Sequence, residues 1–222
     1  MLTPFADDVW IEDRPLRFLG VEVGTRMTIV RMQDGGLFVH SPVTLDDVTR
    51  ETVDALGEVR AIVAPSLLHH LYIGAWASAY PKAALGAAPG LEAKRKDVAW
   101  THVLGDDPRW PDDFDQVHVG SRAMENEVVF FHRKSKTIVS CDLIFNLASH
   151  PSWATRAVAR LIGSREPGPT LLEHVVMRRH RERARAEIDR VVAWGAERLV
   201  IAHGDPVASN ASEVLARGFS WL

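Results

Sequence analysis

The sequence predicts an α/β fold on three observations. Short β-branched runs alternate with stretches of helical periodicity along the whole chain, and glycine and proline clusters separate them. At 222 residues and 46% hydrophobic content, the chain is long enough to bury about 70% of its unfolded surface around one sizeable core. A single domain over residues 1–222 is therefore expected.

The first forty residues carry β-rich runs at Val9–Ile11, Phe18–Val23, Met27–Met32 and Leu37–His40, punctuated by Gly24 and Gly35-Gly36, which predicts an antiparallel meander. Thr44 stands three residues before Asp47 in a capping-box-like arrangement. Leu45, Val48, Thr52 and Leu56 then follow at helical spacing up to Gly57. Val59–Ala64 reads as a buried strand that runs through Pro65 and Ser66 into a helix from Leu68 to Tyr80. Beyond Pro81, loop signals at Pro89-Gly90, Asp106-Asp107-Pro108 and Pro111-Asp112-Asp113 surround modest strands near Ala83 and Val117. Glu127–His132 and Thr137–Cys141 form a hairpin across the polar Arg133–Lys136. A helix over Pro151–Ile162, a loop, and one long helix from Leu171 to Trp194 come next, the last stopped by Gly195. Arg198–Ala202 is a buried strand, and a short helix near Ser212–Arg217 closes the sequence.

Lysine and arginine total 26 against 29 acidic residues, so the formal net charge of -3 gives no global reason for a nucleic-acid or membrane partner. A small-molecule substrate is expected instead, with the oligomeric state left open. Cys141 is the one cysteine, which excludes an intrachain disulfide and a multi-thiolate zinc site. Any metal then falls to histidine and carboxylate. Residues 1–8 lack the basic and apolar regions of a secretory signal, and no apolar run approaches the ~20 residues of a bilayer span, so a cytoplasmic location is expected.

Chemistry-bearing residues fall at one kind of place, the C-terminal end of an apolar strand. His40 follows Leu37-Phe38-Val39, His69 and His70 come shortly after Val59–Ala64, Asp142 follows Thr137–Cys141, and His203 follows Leu199–Ala202. Strand ends on one edge of a sheet converge, and loops there aim side chains while the sheet holds them rigid. Imidazole and carboxylate groups gathered in this way suit Zn, Mn or Fe, and such a metal acidifies water for hydrolysis. Each residue also has a plainer reading: a buried helix-start histidine for His69 or His70, a solvated turn for Asp142, a loop for His203, a satisfied turn carbonyl for His40. His132 is expected on a surface turn. Glu125 and Glu127, flanking the strand, are expected to be solvated, although either is a spare carboxylate. Cys141 reads as a small buried hydrophobe, and the charge run over Met177–Arg190 as a solvated helix face laced with ion pairs. Most of Trp76, Trp100, Trp110, Trp153 and Trp194 are expected to fill core.

The meander ending in Gly36-Leu37-Phe38-Val39, the strand leading to His69-His70, the hairpin ending in Cys141-Asp142-Leu143-Ile144-Phe145, and the last strand ending in Ala202-His203-Gly204 together resemble the metallo-β-lactamase superfamily over nearly the whole chain. The resemblance implies a four-layer αββα sandwich of two mixed sheets flanked by helices. It also implies metal-ligand roles for Asp142, in the family's Gly-Asp-x-Leu-Phe segment with Cys141 in place of glycine, and for His203. The family's His-x-His-x-Asp-His turn is altered: with its last histidine on His70, Pro65 and Leu67 stand in place of the first two and His69 in place of the aspartate. No histidine stands near Arg122–Glu127, His118 lies farther upstream, and His40 takes the place of a strand-end aspartate. The pattern of His69-His70, Trp76, Tyr80-Pro81 and Asp142-Leu143-Ile144-Phe145-Asn146 resembles an uncharacterised bacterial branch, a domain of unknown function with a degenerate ligand motif.

Two functions are carried forward. One is a metal-dependent hydrolase with an altered, mononuclear site acting on an ester, amide or phosphoester, with His69, His70, Asp142 and His203 as ligands and His40 and Asp142 as catalytic groups. The other is a metal-free family member that binds a small molecule or protein without catalysis. The cofactor is accordingly one divalent cation or none, and nucleic-acid processing is disfavoured by the net charge.

Overall fold

The protein is described from a computed structural model covering residues 1–121, 126–164 and 166–222; Glu125 lies outside the described residues. The first part runs β1 (Thr3–Ala6), β2 (Val9–Arg14), β3 (Arg17–Phe18), β4 (Val21–Glu22), β5 (Thr25–Arg31), β6 (Leu37–His40), α1 (Asp47–Leu56), β7 (Val59–Ala64), α2 (Ile73–Ala79), β8 (Ala84–Ala87), α3 (Leu91–Lys94) and β9 (His102–Val103). The second runs β10 (Phe114–Val119), β11 (Glu127–His132), β12 (Thr137–Val139), α4 (Trp153–Leu161), α5 (Leu171–Arg178), α6 (Arg181–Val192), β13 (Arg198–Val200) and α7 (Ala211–Gly218).

Two mixed sheets result. The larger has the order β1-β2-β5-β6-β7-β8-β9, antiparallel as far as β6 and parallel from β6 to β9. The smaller has the order β10-β11-β12-β13, antiparallel except for the parallel β12–β13 pair. Alternate residues of each strand face opposite ways, and the two faces can be read from their partners. Phe38, Ala61 and Val63 meet Phe114, Val128, Phe130 and Val139 between the sheets. Leu37, Val39 and Ile62 pack outward under α1 and α2 with Val53, Ile73 and Trp76. On the far side, Val129 and Ile138 pack outward under α5, α6 and α7 with Met177, Ile188 and Leu215. The order helix, sheet, sheet, helix is the four-layer sandwich that the sequence resemblance implies. Phe38 anchors the middle layer, with ring centroids 4.5 Å from Phe114 and 5.2 Å from Phe130.

Several boundaries differ from expectation for local reasons. The Phe18–Val23 run is two short strands, because Leu19 (φ 48°) and Gly20 (φ 83°) form a tight turn that folds the run back on itself. Asp46, and not Thr44, caps α1, accepting a hydrogen bond from the Thr49 N–H at 2.8 Å. Helix α2 starts at Ile73, which leaves His69 and His70 in the preceding turn. The long helix is broken at Arg179 and His180, whose N–H groups bond back three residues to Val176 and Met177 and close α5 before α6 begins. The charge run is laced as expected, with Arg183 to Glu187 at 2.7 Å and Arg185 to Asp189 at 3.5 Å. Trp76 is fully buried and donates to the Val43 carbonyl, whereas Trp153 is exposed. Among the described residues, no helix is long and apolar enough to cross a membrane.

Candidate functional site

Three loops, each leaving the C-terminal end of a parallel strand, build the site. After β7, the Ser66 hydroxyl accepts from the N–H groups of Leu68 and His69 and fixes the turn that presents His69. Ser41, just past β6 and in a left-handed conformation (φ 52°), places its Oγ 2.8 Å from His69 Nδ1. A non-glycine residue in that region is uncommon and is held there by its surroundings; here the Ser41 N–H donates to the Val63 carbonyl.

After β12, the turn Ser140-Cys141-Asp142 wraps around the buried carboxylate of Glu127. That carboxylate accepts from the Ser140 hydroxyl at 2.7 Å, from the Cys141 N–H, and from the Asp142 N–H at 3.1 Å. Sequence reading placed Glu127 as a solvated residue or a spare ligand; it is a buried anchor for the Asp142 turn. After β13, Arg26 donates to the carbonyls of Ile201 at 2.6 Å and Gly204 at 2.8 Å, bracketing His203 from the opposite sheet. Gly204 (φ 91°) lies so close to the Asn146 backbone that an added Cβ would stand 1.9 Å from the Asn146 oxygen.

His69, Asp142 and His203 converge, with one ligand atom from each within 4.8 Å of the others. His69 Nε2 lies 3.2 Å from one Asp142 oxygen and His203 Nε2 lies 3.1 Å from the other. The Gly24 carbonyl, 2.9 Å from His203 Nδ1, can only accept, so the Nδ1 of His203 carries a proton and its Nε2 is the free ligating nitrogen of the neutral ring. Phe145 stacks on His203 with ring centroids 5.3 Å apart. Burial opposes a charge on His69, but the Asp142 carboxylate outweighs it and holds the imidazole pKa well above its usual value. Burial likewise works against the Asp142 carboxylate, and His69 and His203 overcome it, holding Asp142 well below the ordinary carboxylate range. Burial pushes the Cys141 thiol up to about 11, so it is protonated at neutral pH and no nucleophile.

His70 and His40, expected beside these residues, stand apart. His70 lines the cleft, but its Nδ1 accepts from Arg95 at 3.1 Å, which leaves the ring proton on Nε2 and no free ligating nitrogen in the neutral tautomer. Burial, Lys94 and Arg95 lower its pKa. His40 is 1% exposed beneath the site, packed against Phe130, and is not among the residues that line the cleft. Burial, then His69, lowers its pKa to about 3. His132 is buried and not on a surface turn, with Nδ1 2.8 Å from the Ser135 hydroxyl. The signals for Glu127 and Arg26 were present only as a carboxylate ahead of the apolar run Val128–Phe131 and a guanidinium in the mixed strand Thr25–Arg31.

The three residues open into a cleft of about 420 Å³ walled by Leu16, Phe18, Val23, Leu68, Leu71 and Phe145. Two imidazole nitrogens and one carboxylate, with the Nδ1 atoms occupied by Ser41 and Gly24, form a donor set that fits one divalent cation such as zinc, manganese or iron. No second cluster of this kind occurs among the described residues.

No curated protein sequence matches the chain. Among solved structures, it is similar to the DIM-1 metallo-β-lactamase, with 14% identity, 100% of this chain and 96% of that chain covered, and a TM-score of 0.68. It is also similar to the mono-zinc form of the FIM-1 metallo-β-lactamase from Pseudomonas aeruginosa, with 15% identity, 100% and 95% covered, and a TM-score of 0.63. A third likeness is to the metal-soaked Flv1 flavodiiron core from Synechocystis sp. PCC6803, with 12% identity, 100% and 60% covered, and a TM-score of 0.69. At these identities the likeness establishes the fold, which is metallo-β-lactamase-like. A family profile described as Domain of unknown function (DUF4336) matches residues 6–168, a span that includes His40, His69, His70 and Asp142 and leaves His203 beyond its end. Since that match takes in most of the chain, the protein belongs to the DUF4336 family of domains of unknown function, built on the metallo-β-lactamase fold.

Proposed function

We propose that the protein is a metal-dependent hydrolase with a mononuclear site, in which His69, Asp142 and His203 hold one divalent cation and the cleft receives an ester, amide or phosphoester. The observation that carries this reading is the convergence of these three side chains, with the Gly24 carbonyl fixing His203 so that Nε2 faces Asp142. A neutral imidazole lone pair directed at a carboxylate oxygen needs a shared cation, either a proton or a metal ion.

A divalent cation bound there supplies Lewis acidity toward a substrate oxygen and lowers the pKa of a water. The chain's own groups do the rest. Ser41 and Gly24 hold the two rings in orientation. Glu127 holds the backbone of the Asp142 turn. Phe145, stacked on His203, keeps bulk water from one side of that ring. His70, with its proton on Nε2, is a hydrogen-bond donor on the cleft wall for a substrate oxygen.

A second reading has its own support. The direct contacts of Asp142 with His69 and His203 satisfy the cluster as an imidazolium–carboxylate pair, which suits a metal-free binding protein. Elemental analysis of protein purified without added metal or chelator separates the two. The hydrolase reading expects about one equivalent of metal, lost in His203→Ala and retained in His70→Ala. Less than about a tenth of an equivalent in the wild type overturns it.

A further inference from the structure

The walls of the cleft and its charges are not alike, and together they specify a ligand. Phe18, in β3, and Leu71, in the turn before α2, are exposed at 55% and 59%, although both line the cleft. Large apolar groups left open at the mouth of a concave site are contact surface for an apolar ligand body. At about 420 Å³, the cleft falls in the size range of small-molecule sites, roughly 300–1,000 Å³.

Two cations, Arg17 and Lys94, line the same cleft, and neither has an acidic partner among the described residues. Glu22 faces Arg17 across the β3–β4 pair but forms no ion pair with it. Lys94 Nζ donates to the Leu67 carbonyl at 2.7 Å, which ties the ammonium to the cleft wall without neutralising it. The one carboxylate among the described lining residues is Asp142, already engaged by two imidazoles. Arg95 adds a third cation behind His70, but Asp97 neutralises it at 2.7 Å. The cleft therefore has apolar walls and uncompensated positive charge, in a chain whose overall charge is negative.

We propose that the cleft binds an amphipathic organic anion, an apolar chain or ring carrying one negative group that Arg17 and Lys94 receive while the body lies along Phe18, Leu68, Leu71 and Phe145. This names the substrate class of the site described above and rests on the hydrolase reading for the reaction, though not for the binding. A neutral substrate leaves both cations unused, and a cationic one is repelled by them.

Isothermal titration of chelator-treated protein with decanoate and with decyltrimethylammonium, each below its micellar concentration, tests the proposal without turnover. Decanoate should bind about 10-fold more tightly than the cation of equal chain length, and its affinity should fall with added salt. The double variant Arg17→Gln/Lys94→Gln should bring the two ligands within about 2-fold of each other. Phe18→Ser should weaken both equally. These three side chains are exposed, so their loss leaves the core intact. Equal affinities in the wild type, a preference that survives the double variant, or no binding by either ligand overturns the proposal. Metal content and hydrolysis are read separately, so metal without decanoate binding refutes only the ligand class, and decanoate binding without metal refutes only the hydrolase.

Discussion

Replacing Glu127 by glutamine tests how the Asp142 turn is held. The carboxylate accepts from Ser140 Oγ and the Cys141 N–H on one oxygen and from the Asp142 N–H on the other. Glutamine keeps the shape but has one acceptor oxygen. In its better orientation it still accepts from Ser140 and Cys141, now as neutral bonds, and turns an NH₂ group toward the Asp142 N–H. One charge-assisted bond, worth about 1.5–3 kcal/mol, is lost outright, two more are weakened to neutral bonds, and a buried N–H faces a donor. A loss of about 3 kcal/mol is expected, a large share of a typical total of about 5–15 kcal/mol. With a urea slope of about 2 kcal/mol/M, the unfolding midpoint should fall by about 1.5 M. The displaced turn carries Asp142 with it, so zinc affinity, measured by competition with a chromophoric chelator, should drop about 10- to 100-fold. A midpoint within about 0.2 M of wild type, or zinc affinity unchanged while stability falls, refutes the argument that Glu127 positions the ligand.

Arg26→Gln removes the guanidinium that satisfies the Ile201 and Gly204 carbonyls. It should cost about 2–4 kcal/mol in urea unfolding, and a change below about 0.5 kcal/mol would show that the bracket is dispensable. Gly204→Ala places a methyl group 1.9 Å from the Asn146 oxygen at a positive φ. It should destabilise by about 3 kcal/mol or more, and a soluble variant with wild-type thermal stability contradicts the close approach. Burial lowers the pKa of His132 to about 4. The unfolded chain, with an ordinary histidine pKa of about 6.5, then takes up a proton that the folded protein refuses. Stability is unaffected above that value and falls by up to about 1.4 kcal/mol per pH unit as the pH drops from about 6.5 toward 4. His132→Asn should flatten the slope of unfolding free energy against pH by about that amount, and an unchanged slope would place the titration elsewhere.

The strands that face a core on both sides were legible from the sequence, because a run such as Ala61–Ala64 is buried at every position, with only Arg60 exposed near the start of its strand. Asp142 and His203 were legible because polar residues ending an apolar strand have few places to go. The orientation of His70 was not legible, since the group that claims its Nδ1, Arg95, lies 25 residues on in a separate helix–loop segment. Arg26 was silent for the same reason on a larger scale, with its carbonyl partners 175 and 178 residues away. The break between α5 and α6 carried no glycine or proline, and backbone bonding at Arg179 and His180 made it without a residue type to announce it.

The three converging side chains do not come from one sheet. His69 leaves the seven-stranded sheet, while Asp142 and His203 leave the four-stranded one. No fragment that folds one sheet alone can assemble the cluster, so whatever binds across it acts as a rivet between the two layers. Occupancy and cohesion become a single equilibrium: a ligand at 100 times its dissociation constant adds about 2.7 kcal/mol against the layers parting. A weakened seam should show itself first as a weakened ligand, before any loss of secondary structure.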